Sequence, residues 1–74
     1  MPKHPIAIQL GRALRARRRA AGIGQDQFAD LIDMQRAYYS AIERGEKKVT
    51  LKTLKRLADG FGVTISQILQ DVGR

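Results

Sequence analysis

Cysteine and tryptophan are absent from this sequence, histidine occurs once, and two prolines and four aromatic residues are all it holds of those kinds. Without cysteine there is no disulfide framework and no zinc site built on thiolates. The lone His4 sits near the start of the chain with no triad partner in sight, so nucleophilic catalysis has no candidate. No apolar run approaches the roughly 20 residues that a membrane helix needs, and the first residues lack a secretory pattern. A soluble, cytoplasmic protein is expected. Acids are scarce too: seven Asp+Glu face fourteen Lys+Arg, a formal net charge of +7 that points to a polyanionic partner.

What is present fits one small domain over residues 1–74, with a core from about 6 to 70. At 43% hydrophobic residues the composition is that of a globular chain, not of a disordered basic tail. At this size, without disulfides, stability must come from well-packed helices or from a partner subunit. A ligand-sensing or peptidase domain would not fit into 74 residues, and no small-molecule ligand or cofactor is expected. The charge is distributed in blocks: +6 over residues 1–24, −3 over 25–34, +5 over 35–56 and −1 over 57–74.

Helical signals dominate, and the expected fold class is all-α with five short helices. Pro5 can open the first helix, where its missing N–H costs nothing. Ile6, Leu10 and Leu14 recur at four-residue steps, with Ala13, Ala20 and Ala21 filling in, and Gly22 stops the helix. A short helix follows over Gln25–Ile32, with Phe28, Ala29 and Ile32 on one side. Asp33-Met34 reads as a tight corner, because Asp tolerates the left-handed conformation. A third helix, Arg36–Arg44, turns Tyr39 and Ile42 inward and ends at Gly45. Thr50 caps a fourth helix carrying Leu51, Leu54, Leu57, Ala58 and Phe61, and Gly62 ends it. Thr64 caps a fifth with Ile65, Ile68, Leu69 and Val72.

Enzyme and metal signals do not accumulate. Asp26, Asp30 and Asp33 share a helix face but lack the glycine loop of an oxygen-ligand site, so they read as dipole and solubility charges. Gly60-Phe61-Gly62 follows no strand and lacks the third glycine of a phosphate loop. Neither an enzyme nor a metal protein is expected.

Residues 25–45, QDQFADLIDMQRAYYSAIERG, carry the informative pattern. Helix, corner, helix is the helix-turn-helix arrangement, whose second helix enters the DNA major groove. It needs a small residue at the helix crossing (Ala29) and a residue able to bend the chain four positions later (Asp33). It also needs apolar anchors (Met34, Tyr39, Ile42) and a polar, non-acidic leading end (Gln35-Arg36-Ala37). The chain resembles the lambda-repressor-like helix-turn-helix family of phage repressor and Cro-type regulators. The resemblance runs through Arg18, Gly22, Gln25, Phe28-Ala29, Arg36-Ala37-Tyr38, Ile42-Glu43-Arg44-Gly45, Thr50-Leu51-Lys52-Thr53-Leu54 and Leu57-Ala58. It departs at Gly24, where a Ser or Thr cap is usual, at Asp33, where glycine is usual, and at Arg17 and Tyr39, where apolar residues are common.

The resemblance implies a five-helix DNA-binding domain acting as a homodimer on a two-fold-related operator, its recognition helices about 34 Å apart. Arg36 becomes the first candidate for a guanine contact, Ala37 for a thymine methyl, and Gln35, Ser40 and Ala41 for further base edges. Gln25, Tyr38, Arg44, Lys47 and Lys48 are the phosphate candidates. The helical wheel slightly favours Arg17 as the inward arginine of the first helix; the family register instead selects Arg18 and pairs it with Glu43. Ile65, Ile68, Leu69 and Val72 are the candidate dimer surface, part of which must also complete the core. Arg12, Arg15, Arg17 and Arg19 receive no role.

Other readings share these features. A basic first helix can lie on a membrane surface, although its stripe is aliphatic and lacks aromatic anchors. The same domain serves as the antitoxin of a toxin–antitoxin pair, with a toxin as protein partner. A third possibility is a helical module that binds some other polyanion.

Overall fold

The structure, a computed structural model, describes residues 5–73; Lys3 and His4 lie outside the described residues. Five helices follow one another: α1 Pro5–Ala20, α2 Gln25–Leu31, α3 Arg36–Glu43, α4 Leu51–Phe61 and α5 Ile65–Val72. No strand occurs among the described residues. α1 packs across α3 and α5, α2 packs on α3, and α4 packs on α5.

Four helix ends share one chemistry. Gly22, Asp33, Gly45 and Gly62 all have positive φ, and Asp33 (φ 54°) is the only non-glycine residue to do so among those described. At each, its own backbone N–H and that of the next residue turn back onto the helix. At α2, Asp33 N–H donates to Asp30 O at 3.1 Å and Met34 N–H to Ala29 O at 2.9 Å. Such a reversal satisfies carbonyls that the helix leaves open, and an apolar residue after it seals the turn. Ile23, Met34 and Val63 are those residues, each packed into or against the core. Glu46 occupies the equivalent place after Gly45, so the α3 end is sealed by a charge instead. At the N-termini, the Thr50 and Thr64 hydroxyls accept from Thr53 N–H (3.2 Å) and Gln67 N–H (3.1 Å).

Leu14, Phe28, Tyr39, Ile42, Leu57 and Ile68 fill the centre and are fully buried. Phe28 stacks on Phe61 at 4.1 Å between centroids and meets Tyr39 at 5.2 Å, so α2, α3 and α4 share one aromatic cluster. Two glycines let helices approach closely. A Cβ on Gly11 would sit 2.6 Å from Ile42 O, and one on Gly60 would stand 3.0 Å from Phe28 Cζ.

Two apolar stripes shift from their expected registers. Ile6 is 70% exposed and Leu51 72% exposed, each in the first turn of its helix and beyond the edge of the core. Ala20 and Ala21 are exposed as well. The inner row of α1 is Ala7, Leu10, Gly11 and Leu14, and its continuation reaches Arg18 rather than Arg17. No helix of the described residues is long and apolar enough to cross a membrane.

Candidate nucleic-acid interface

The buried anchor of the helix-turn-helix is a carboxylate. Glu43, in the last turn of α3, has a fully buried side chain that accepts five hydrogen bonds from four residues. Arg18 Nε donates to Oε2 at 2.7 Å and its Nη2 to Oε1 at 3.1 Å. Arg15 Nε (3.2 Å) and Gln25 Nε2 (3.0 Å) also reach Oε1, and the Tyr39 hydroxyl reaches Oε2 at 2.5 Å. Burial alone would raise the Glu43 carboxyl, but donation from Arg18, Tyr39, Gln25 and Arg15 outweighs it and holds the pKa down at about 2. The same burial and the bond to Glu43 push the Tyr39 phenol far above its ordinary value. The aromatic departure from the family pattern thus brings its own polar partner.

This hub gives Arg15 and Gln25 structural roles. Arg15, given no role, ties α1 to Glu43. The Gln25 carboxamide donates inward to the same carboxylate, so that side chain is committed to the hub before any phosphate arrives. Arg17 pairs instead with Asp71 of α5, Nε to Oδ2 at 2.5 Å. Arg18 adds a bond to the Ile23 carbonyl at 2.9 Å, bracing the loop that enters α2.

With its inner face fixed, α3 turns Gln35, Arg36 and Ala37 outward, all exposed, with Ser40 and Tyr38 half-buried one turn along. Gln35, Ala37, Tyr38, Arg44, Glu46 and Lys47 border one shallow depression, with Ala41 at its floor. Ala41 requires a correction: at 6% exposed it leaves little of its methyl for a base edge to meet. Lys47 Nζ stands 5.9 Å from the Tyr38 ring centroid, and Tyr38 also packs against the core. Lys48 is exposed in the following loop.

Both arginines of this face are engaged by acids. Arg36 Nε and Nη2 donate to Asp30 Oδ1 (3.1 Å) and Oδ2 (2.7 Å), with Nη1 3.6 Å from Asp26 Oδ2. The fork from Arg36 lowers the Asp30 carboxyl and raises the guanidinium. Arg44 makes the matching fork to Glu46 (3.0 and 3.1 Å) and donates to Ser40 Oγ at 2.6 Å. Asp26 and Asp30, read from the sequence as dipole and solubility charges, are arginine partners.

Sequence reasoning passed over Arg56. From α4 it donates to the Ile32 carbonyl at 3.0 Å and to the Asp33 carbonyl, fastening the corner between α2 and α3. Its partners lie more than twenty positions away, beyond any local pattern. In α5, Ile68 also needs correction: it is fully buried in the core and unavailable to a second chain. Ile65 and Val72 are half-buried against the core, whereas Leu69 is 53% exposed.

Comparison with known proteins agrees with this geometry. The sequence profile of the helix-turn-helix family matches residues 14–68. The control protein C.MunI of Mycoplasma sp is 37% identical over 68 residues, covering 90% of this chain and 92% of C.MunI. The structure of ClgR, a clp gene regulator of Corynebacterium glutamicum, matches with a TM-score of 0.89 at 26% identity, over 97% of this chain and 92% of that one. The restriction-modification controller protein C.AhdI of Aeromonas hydrophila matches with a TM-score of 0.80 at 29% identity, over 84% and 94%. The five-helix architecture, the helix-turn-helix of α2 and α3 and these relatives agree: the chain belongs to the lambda-repressor-like helix-turn-helix family of DNA-binding transcription regulators, among whose members are control proteins.

Proposed function

We propose that this chain is a sequence-specific double-stranded DNA-binding regulator of the control-protein kind, acting as a homodimer on a two-fold-related operator. The observation that carries this reading is the outward row of α3. Gln35, Arg36 and Ala37 stand exposed at its leading end, while Tyr39, Ile42 and Glu43 lock its opposite face into the core. A recognition helix presents its N-terminal residues to base edges in this way. Arg36 reads guanine O6 and N7, Ala37 meets a thymine methyl, and Gln35 and Ser40 approach neighbouring edges. Tyr38, Lys47 and Lys48 contact phosphates and set the register, with Arg44, already forked onto Glu46, contributing less. Leu69, with the outer edges of Ile65 and Val72, forms the contact between subunits. C.MunI and C.AhdI, both controllers by name, support the control-protein assignment.

The test is in vitro selection from a randomised 30-base-pair duplex library followed by mobility shift. A pseudo-palindromic site should emerge, and Arg36→Ala should relax the preference at one guanine per half-site by about 1–3 kcal/mol. Failure to enrich any sequence rejects the reading.

A further inference from the structure

We infer that Asp30 is a specificity determinant of this DNA-binding face: by closing the Arg36 fork in the free protein, it suppresses sequence-independent binding to the DNA backbone. This rests on the reading that α3 meets DNA.

Three observations lead there. First, the closure has two points. Nε and Nη2 of Arg36 meet both oxygens of Asp30 while Asp26 stands near Nη1, so two carboxylates surround one guanidinium. Second, the pattern repeats at the other end of the helix, where Arg44 forks onto Glu46. The outward arginines of α3 are therefore neutralised before DNA arrives. Third, fold stability does not account for the Asp30 pair. Both partners are more than half exposed, where ion pairs contribute little. Asp30 also lies in the last turn of α2, where the helix dipole disfavours an anion.

The consequence depends on what approaches. A phosphate offers Arg36 much what Asp30 already provides, two oxygens sharing one negative charge for the same fork. Exchanging one for the other gains little and exposes two carboxylates to a polyanion, so the usual gain from an arginine–phosphate contact is cancelled. A guanine edge offers neutral acceptors, O6 and N7. The outer N–H groups of Nη1 and Nη2 can meet these while Nε and Nη2 remain on Asp30, whereas a phosphate at the same N–H groups brings its negative charge up against Asp30 and Asp26. The acid thus penalises the backbone more than the base, a repulsive element that sharpens choice.

The experiment measures binding of the full chain to a poly(dA-dT) duplex, which carries phosphates and no guanine, across a salt series. Asp30→Asn should bind about two- to fivefold more tightly than the parent chain, with a salt slope steeper by about one unit. Asp33→Asn removes the same charge without touching the fork and should not reproduce this gain. In an Arg36→Ala background, Asp30→Asn should add nothing. Unchanged or weaker binding by Asp30→Asn overturns the inference, and so does an equal gain in Asp33→Asn or in the Arg36→Ala background. If Arg36→Ala and Lys47→Ala bind all duplexes as the parent does, the placement of DNA on α3 fails instead. If Arg36→Ala weakens binding while Asp30→Asn tightens nothing, only the role of Asp30 fails.

Discussion

The Tyr39 hydroxyl donates to Glu43 at 2.5 Å, four residues further along α3 and inside the protein, where neither side chain meets water. Because Arg18 of α1 and Gln25 of α2 hold the same carboxylate, one buried charge joins three helices and sets how α3 is presented. Removing it strands the Arg18 guanidinium, whose side chain is only 11% exposed. Breaking a buried pair in this way costs about 3–5 kcal/mol. In a domain of this size that lowers Tm by on the order of 15 °C or more. Glu43→Ala should show this by calorimetry, while Glu46→Ala should cost about 1 kcal/mol or less because its Arg44 partner remains solvated. Equal effects would sink the assignment of Glu43 as the anchor.

The same carboxylate governs the response to acid. Its folded pKa of about 2 lies below the ordinary value of 4.5, so the stabilisation is fully present above pH 4.5. It is lost as pH falls from there toward 2, since the unfolded chain takes up the proton first. Chemical denaturation of the parent chain should show stability falling steadily through that window. Glu43→Gln, less stable at neutral pH, should show a much flatter profile there. Parallel profiles for the two proteins would contradict the depressed pKa.

Much of the fold was legible because helix ends are local events. Thr50 and Thr64 cap within three residues of themselves, and Gly22, Gly45, Gly62 and even Asp33 mark turns that only a residue tolerant of positive φ can make. The stripes were less secure. Ile6 and Leu51 have the right spacing but sit in first turns that overhang the core, so periodicity counted them and packing did not. Including Ile6 tilted the helical wheel toward Arg17; replacing it with Ala7 points the row at Arg18. The polar hub was not legible as a whole, because Arg15, Gln25 and Glu43 come from three elements and converge only after folding. On the DNA face, the Arg36–Asp30 fork spans the corner at a spacing of six, which no single-helix rule would pair.

Gly11 tests the closeness of α1 to α3. An added Cβ would overlap the carbonyls of Ile42 and Glu43, which are backbone atoms of a helix and cannot step aside cheaply. Gly11→Ala should therefore cost about 1–3 kcal/mol despite the better helix propensity of alanine. Gly24 is the contrasting site. Nothing lies within 4 Å of a Cβ there, its backbone is extended, and it caps α2 without a side chain. Gly24→Ser should supply the missing acceptor and gain a few tenths of a kcal/mol. Denaturant midpoints moving in the same direction for both variants would contradict this.

The subunit contact can be separated from the core within α5, because adjacent residues have opposite environments. Ile68 is fully buried, whereas Leu69 leaves more than half of its surface to solvent. An aspartate at 68 must place an unpaired charge in the core, so Ile68→Asp should abolish cooperative folding altogether. An aspartate at 69 meets water in the isolated chain and should leave its helical content and monomer fold intact. In a dimer closed by a two-fold axis every interface change appears in both copies, so Leu69→Asp places like charges close together across the contact. Sedimentation equilibrium should therefore show Leu69→Asp as a folded monomer at concentrations where the parent chain is dimeric. Mobility shift on the selected duplex should show weaker binding, because two linked recognition helices gain from effective concentration what a single one must obtain alone. A Leu69→Asp protein that remains dimeric would move the contact away from α5, and the exposed Leu31 and Leu51 would be the next surfaces to test.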